Sequence, residues 1–274
     1  MASVNRRVLP GFSLTLGFTV FYLSLLVLFP ISACFFKAGS LSFEEFWKAV
    51  WTERARAAYV LTFGAALIAA VVNTLLGLLI AWVLVRYTFP GKKLVDSLID
   101  LPLALPTAVG GLVYASLYVE KGWLGQFLVP LGIHGAYSRF AIVLVLVFVG
   151  LPFVVRTVQP ILEDLDPEAE EAGASLGGTR WQTFRYVILP TLYPALITGF
   201  ALAFARGVGE YGSVVFVSGN MPYKTEIAPI LIVARLEEFA YSEATAIAVV
   251  LLGVSFSMLV LINLLERWSM RHER

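Results

Sequence analysis

One cysteine, Cys34, and two histidines, His134 and His272, are all that this 274-residue chain holds of the side chains that form disulfides, ligate soft metals or titrate near neutrality. A lone cysteine excludes an intrachain disulfide and a cysteine-based metal site, and two histidines in separate polar segments exclude a histidine-rich one. Charge is sparse: 14% of the residues are Asp, Glu, Lys or Arg, and a net charge of +1 supplies no field for a nucleic-acid partner. No GxxxxGK[ST] stretch is present to cradle nucleotide phosphates, and there is no Ser/His/Asp triad or HExxH pattern. The chain is read as a non-enzyme that calls for no metal and no cofactor. What remains is forming a pore or moving a solute, driven by an ion gradient or by a separate ATPase.

Apolar surface is what the chain has in abundance. A hydrophobic content of 59% and a mean hydropathy of +0.82 lie outside the globular range and mark an integral membrane protein surrounded by lipid. No run alternates as a transmembrane strand does. Six apolar runs of about 20 residues are expected to span: Phe12 to Phe36, Val60 to Leu84, Leu98 to Tyr118, Phe140 to Val155, Leu192 to Val217 and Ala244 to Leu265. The fourth is short. The fold expected is all-α, a polytopic transmembrane helix bundle of about six spans, forming a single domain over residues 1–274. An even count puts both termini on one side, and eleven of the twenty basic residues fall on that side against eight opposite, which favours cytoplasmic termini. Arg54 and Arg56 count against this, and are expected in an interfacial helix with Phe43, Phe46, Trp47, Val50 and Trp51. Arg6 and Arg7 ahead of Ile31-Ser32-Ala33-Cys34 offer a cleaved lipoprotein leader as another reading, but the run between them is too long for a typical signal core.

The longest polar interruption runs from Arg156 to Pro190. Six of the nineteen acids, Glu163, Asp164, Asp166, Glu168, Glu170 and Glu171, fall at its start, and such a stretch does not sit in lipid. Asp166 before Pro167 predicts a helix start, with Asp at the N-cap, Pro at the first helical position and acids facing the positive end of the dipole. Gly177 and Gly178 predict its stop. The result is a short, acidic surface helix between two spans, either a docking element or an ordinary solvated loop.

Within the spans, Arg206 and Glu210 stand in the apolar run AFARGVGEYGS. A mid-membrane charge is costly, so the pair is expected to face a cavity or a partner, with a structural ion pair on one helix face as the competing reading. Gly207, Gly209 and Gly212 would let a backbone or a substrate approach closely. Pro102 and Pro106 should kink the third span, and Asn73 is expected to make an interhelical hydrogen bond.

Glu171-Ala172-Gly173, three residues, Gly177, nine residues, then Val187-Ile188-Leu189-Pro190 resembles the EAA loop of permease subunits in bacterial ABC importers. Gly173 stands where that pattern has its second Ala, and Val187 where it has Ile. LPLALPTAVGGL in the third span and AFARGVGEYGSVVFVSGN in the fifth look like the sulfate and molybdate branch. The continuation SGNMPYKTEIAPILIVARLEEFAYSEATAIAVV is similar to the T-type permease subunit of sulfate/thiosulfate importers, and RLEEF at Arg235 to Phe239 sets it apart from molybdate permeases.

The resemblance implies the type I importer permease fold in a bacterial inner membrane. It also implies a W-type permease subunit as partner, two ATP-binding ATPase subunits, and a periplasmic sulfate/thiosulfate-binding protein. On this basis the loop over 156–190 couples the channel to the ATPase through Asp166, Glu171, Ala172, Gly173, Gly177, Leu189 and Pro190, with Pro190 starting the return into the fifth span. The pathway candidates are Pro106, Thr107, Arg206, Gly209, Glu210 and Tyr211. A molybdate or tungstate permease is the near alternative. An ion-gradient-driven secondary anion transporter and a structural membrane anchor are the alternatives of other classes.

Overall fold

A computed structural model describes residues 12–271, and every regular element among them is helical. Arg6, Arg7, His272 and Arg274 lie outside them. The elements are α1 Phe12–Leu23, joined by a π-helical turn at Ser24–Leu28 to α2 Phe29–Ala38; α3 Phe43–Val50; α4 Glu53–Arg86; α5 Lys92–Ile99; α6 Leu101–Ala104; α7 Thr107–Tyr118; α8 Gly125–Leu128; α9 Arg139–Glu163; α10 Pro167–Ser175; α11 Arg180–Thr183, joined by a π turn at Phe184–Ile188 to α12 Leu189–Val208; α13 Val214–Val217; α14 Ala228–Glu237; and α15 Tyr241–Arg271.

Three helices, α4, α9 and α12, make the core, and each packs on the other two. Small residues set their spacing. The inward face of α4 carries Ala55, Ala58, Ala65, Ala66, Ala69, Ala70 and Ala81, all buried. A Cβ on Gly77 would lie 2.6 Å from Val154 Cγ1, and one on Gly199 would lie 3.0 Å from the Val154 Cα. In lipid, where burial of apolar surface offers helices little advantage, such close backbone approach is what holds them together. The first apolar stretch differs: the window in Leu14–Ala38 is unburied, and it joins the rest through packing of α2 on α15.

The helix ends follow local chemistry. Ser42 and Glu45 form a capping box that starts α3. The Thr52 hydroxyl accepts from the Ala55 N–H to start α4, whose first and last turns carry Glu53 and Arg86, each at the dipole end that favours its charge. Arg54 and Arg56 therefore belong to α4 and not to the interfacial helix expected for them. Arg54 turns back as a bidentate donor to Glu226, at 2.7 Å for both contacts.

Several expected boundaries are corrected. Among the described residues five helices are long and apolar enough to cross a membrane, and the expected third span, Leu98 to Tyr118, is broken into three pieces. Pro106 forces Leu105 out of the helical region, to ψ 139°. The break at Asp100 is anchored by Arg156 of α9, which donates from Nε and Nη2 to the Asp100 carboxylate and from Nη1 to Asp96. The Arg156 guanidinium holds the Asp100 carboxyl below the usual carboxylate range. The fourth span is not short, since α9 continues through Pro160 to Glu163, so the first eight residues of the polar interruption are helical. Asn73 is fully buried but makes no hydrogen bond. Its amide meets Gly150 of α9, where a Cβ would lie 2.4 Å from Nδ2, so the side chain serves here as a shape that only glycine fits.

Replacing Gly77 by Leu is expected to force α4 and α9 apart and cost about 1–3 kcal/mol, as overpacking does. Gly253→Leu, where nothing lies within 4 Å, should be tolerated. Thermal unfolding of the detergent-solubilised protein compares the two.

Candidate functional site

The predicted acidic helix forms as α10, Pro167–Ser175. The Asp166 carboxylate accepts from the Glu168 N–H at 3.0 Å, Pro167 takes the first turn, and Glu168 and Glu170 sit where the helix N-terminus favours anions. The helix stops at Gly177, whose φ of +79° is the left-handed conformation glycine adopts without strain, and the Gly178 N–H closes the last turn on the Gly173 carbonyl at 3.1 Å. The Thr179 hydroxyl accepts from the Gln182 N–H while Gln182 accepts from the Thr179 N–H, a capping box that starts the return helix at once. The return into the membrane therefore begins at Arg180, ten residues before Pro190. Leu189 and Pro190 lie inside the continuous Arg180–Val208 helix, where the π turn at Phe184–Ile188 accommodates the missing proline N–H.

No side chain of α10 is buried. Glu171 and Ala172 are exposed, and Leu176 at the C-cap stands 89% exposed, an apolar knob among acids that sequence reasoning passed over. Glu170 and Gly173 are the half-buried positions, turned toward the bundle. Glu170 pairs with Arg86 at the end of α4, a contact across 84 residues for which the sequence carries no local signal.

The pathway candidates meet at one place. Pro106 caps α7, and Thr107 lies against the chain after α12, since a Cβ on Gly212 would fall 2.2 Å from Thr107 Oγ1. The expected fifth span is corrected here: α12 ends at Val208, the chain turns at Gly209, and residues 214–217 form the separate helix α13. Arg206 is in the last turn of α12 and Glu210 lies just past its end, yet the two form an ion pair. The Glu210 carboxylate, 2% exposed, also accepts from the Ser213 N–H and hydroxyl at 2.8 Å each. A buried carboxylate with three donors is fully compensated. Gly207 packs on Ala66 of α4 and Gly212 on Thr107, so of the three glycines Gly209, which is exposed, is the open one. Tyr211 is partly exposed beside it.

A family model described as the binding-protein-dependent transport system inner membrane component matches residues 73–271. The chain belongs to this family. Among its relatives, a sulfate transport system permease protein CysT of Synechocystis sp. is 52% identical over 93% of this chain and 89% of its own. One from Escherichia coli is 47% identical over 96% of this chain and 95% of its own. Two crystal structures of a bacterial ABC transporter for alginate superpose with TM-scores of 0.78 and 0.77, each over 93% of this chain and 94% and 93% of theirs, at 14% and 17% identity. The second contains a periplasmic protein bound to an alginate pentasaccharide. At such identities the likeness shows the fold, the helix bundle of a type I importer permease. The matched region begins at Asn73 in the centre of α4 and takes in α10 and both halves of the Arg206 cluster.

Arg206→Ala would leave the Glu210 carboxylate buried with only Ser213. A loss of about 2–3 kcal/mol is expected, below that of a fully buried pair because Arg206 is 33% exposed. Adding Glu210→Gln, which removes the charge and keeps an oxygen for Ser213, should recover most of it in the same unfolding assay.

Proposed function

We propose that the chain is one half of the transmembrane channel of an ATP-driven sulfate importer, carrying sulfate or thiosulfate from the periplasm to the cytoplasm. The observation that carries the reading is a rigid, doubly capped helix with no buried side chain, held outside the bundle by two spans, in a chain about half identical to sulfate permeases over almost its full length. An element like this costs little to hold in place and is free to seat in another protein.

The chain has no nucleotide-binding motif, so the work comes from outside. Two ATPase subunits, a W-type permease as the second half-channel and a periplasmic binding protein complete the machine, and this subunit does no covalent chemistry itself. Both termini are cytoplasmic in this reading, with the broken stretch through the shorter apolar helix α7 crossing as a sixth span beside the five long helices, and the coupling segment lies over 163–190 within a single domain. Closure of an ATPase pair that binds ATP differently in its two states displaces α10. The displacement passes into α9 through Asp164–Asp166 and into α12 through the helix that starts at Arg180. Glu171, Ala172, Gly177 and Leu176 present the docking face, Asp166 and Gly173 hold its geometry, and Leu189 and Pro190 belong to the lever that follows.

A dianion must be bound well enough to enter and weakly enough to leave. Arg206 alone would trap it. With Glu210 neutralising part of its charge, and with the exposed Gly209 backbone, Thr107 beside Pro106, and Tyr211 nearby, the cluster offers hydrogen-bond donors without a deep well.

Reconstituted with its partner subunits and binding protein, the chain is expected to support ATP-dependent uptake of labelled sulfate, competed by thiosulfate and not by molybdate. Glu171→Ala and Gly177→Asp should insert normally and lower uptake about fivefold or more. Preferential competition by molybdate assigns the near alternative, uptake that follows an ion gradient without ATP overturns the proposal, and unchanged uptake in both variants removes α10 from coupling.

A further inference from the structure

Chain continuity ties α10 to α9 and α12, but a third attachment is made by side chains. We infer that Arg86 and Glu170 form a swivelling strut by which α10 moves the cytoplasmic end of α4, making both positioning residues for transport. The inference rests on the reading of α10 as the element an ATPase displaces.

The strut is built for persistence. Arg86 stands in the last turn of α4, where the helix dipole favours a cation, and Glu170 in the first turn of α10, where it favours an anion. Each side chain is 27% exposed, so the pair is shielded without being sealed. The Arg86 guanidinium also lies 5.2 Å from the Trp82 ring. Trp82 meets the edge of Phe184 at 5.4 Å, and Phe184 stacks on Trp181 at 5.6 Å. One continuous series of contacts thus links α10, the end of α4 and the elbow where the return helix starts.

Its geometry differs from that of the two other long-range arginine–carboxylate ties among the described residues. Arg54 grips Glu226 with two donors, and Arg156 grips Asp100 with two. Such forks fix the relative orientation of the elements they join. Arg86 meets Glu170 through Nη2 alone, and its Nε is buried without a partner. A single-point contact transmits push and pull while leaving the joined parts free to turn about it.

Space for the turn is present. A cavity of about 680 Å³ separates α10 from α4, lined among others by Leu78, Trp82, Ala174 and Arg180. Apolar packing does not hold α10 against α4, because α10 buries no side chain, so the ion pair carries that link. A part-exposed pair adds little to stability. Its loss is therefore expected to appear in coupling.

The test uses the complete complex in proteoliposomes with sulfate-loaded binding protein, reading sulfate uptake and ATP hydrolysis together. Glu170→Gln and Arg86→Gln should assemble with unchanged thermal stability and lower uptake per ATP about fivefold or more. The exchange Arg86→Glu/Glu170→Arg should restore most of the ratio. A wild-type ratio in both single variants overturns the inference, as does an exchange no better than the single changes. Where a neutral variant does not assemble, Glu170→Asp is read instead, and a wild-type ratio there overturns it. The ratio compares variant with parent whichever oxyanion is carried. A parent complex that moves molybdate in place of sulfate refutes the proposed substrate and leaves the strut to be judged on its own.

Discussion

Close backbone approach among α4, α9 and α12 is the constraint on which the rest of the molecule depends. Helices in lipid have no excluded water to drive them together, so the contact itself must supply the attraction. The alanine face of α4 and the glycines at 77, 150, 199 and 207 remove the side chains that would otherwise hold these helices apart. Val154 shows the consequence, since it fills the space in front of both Gly77 and Gly199 and so touches two helices from the third. A core fixed this tightly moves as one body. Both proposed functional regions hang from its ends, α10 between α9 and α12, and the Arg206 cluster where α12 gives way to the chain packed on α7.

The placement of charge follows from the same scarcity of water. Among the described residues three arginines pair with acids far along the chain: Arg54 with Glu226, Arg86 with Glu170, and Arg156 with Asp96 and Asp100. The forked ties at Arg54 and Arg156 pin loops to the core, and the second of them holds the broken stretch at Asp100 in place. Arg206 and Glu210 are different because both come from one short segment. Past the end of the helix, Ser213 adds two more donors to the Glu210 carboxylate.

Much of this was legible in the sequence wherever local chemistry decides. Asp166-Pro167 and Gly177 marked both ends of α10, because capping and a positive φ are requirements of single residues. Five of the six apolar runs marked long helices, because spanning is set by the length of a continuous apolar stretch. The misses share a cause, which is that hydropathy counts residues and does not see breaks. Leu98 to Tyr118 is mostly apolar and carries one charge, Asp100, yet Pro106 and the Arg156 clamp divide it, and the apolar run through Val217 hides the turn at Gly209. Asn73 departs from its type: an amide in lipid ordinarily seeks a partner, but here it faces Gly150, which has no side chain to offer one. Arg86 and Glu170 were each visible as charges, while their pairing depends on a fold that brings positions 84 residues apart together.

The arrangement also explains why the proposed coupling element is so poor in buried surface. A helix packed by apolar contacts would share the rigidity of the core and resist displacement relative to it, since well-packed interfaces are stiff. A helix held only by its flanking chain would move freely and deliver its motion to α9 and α12 alone, leaving α4 to follow through the core. One ionic contact to the end of α4 lies between these extremes. It is strong enough along its own direction to carry load, weak enough in torsion to permit rotation, and positioned at the end of the longest described helix, where a small displacement acts on the whole three-helix core.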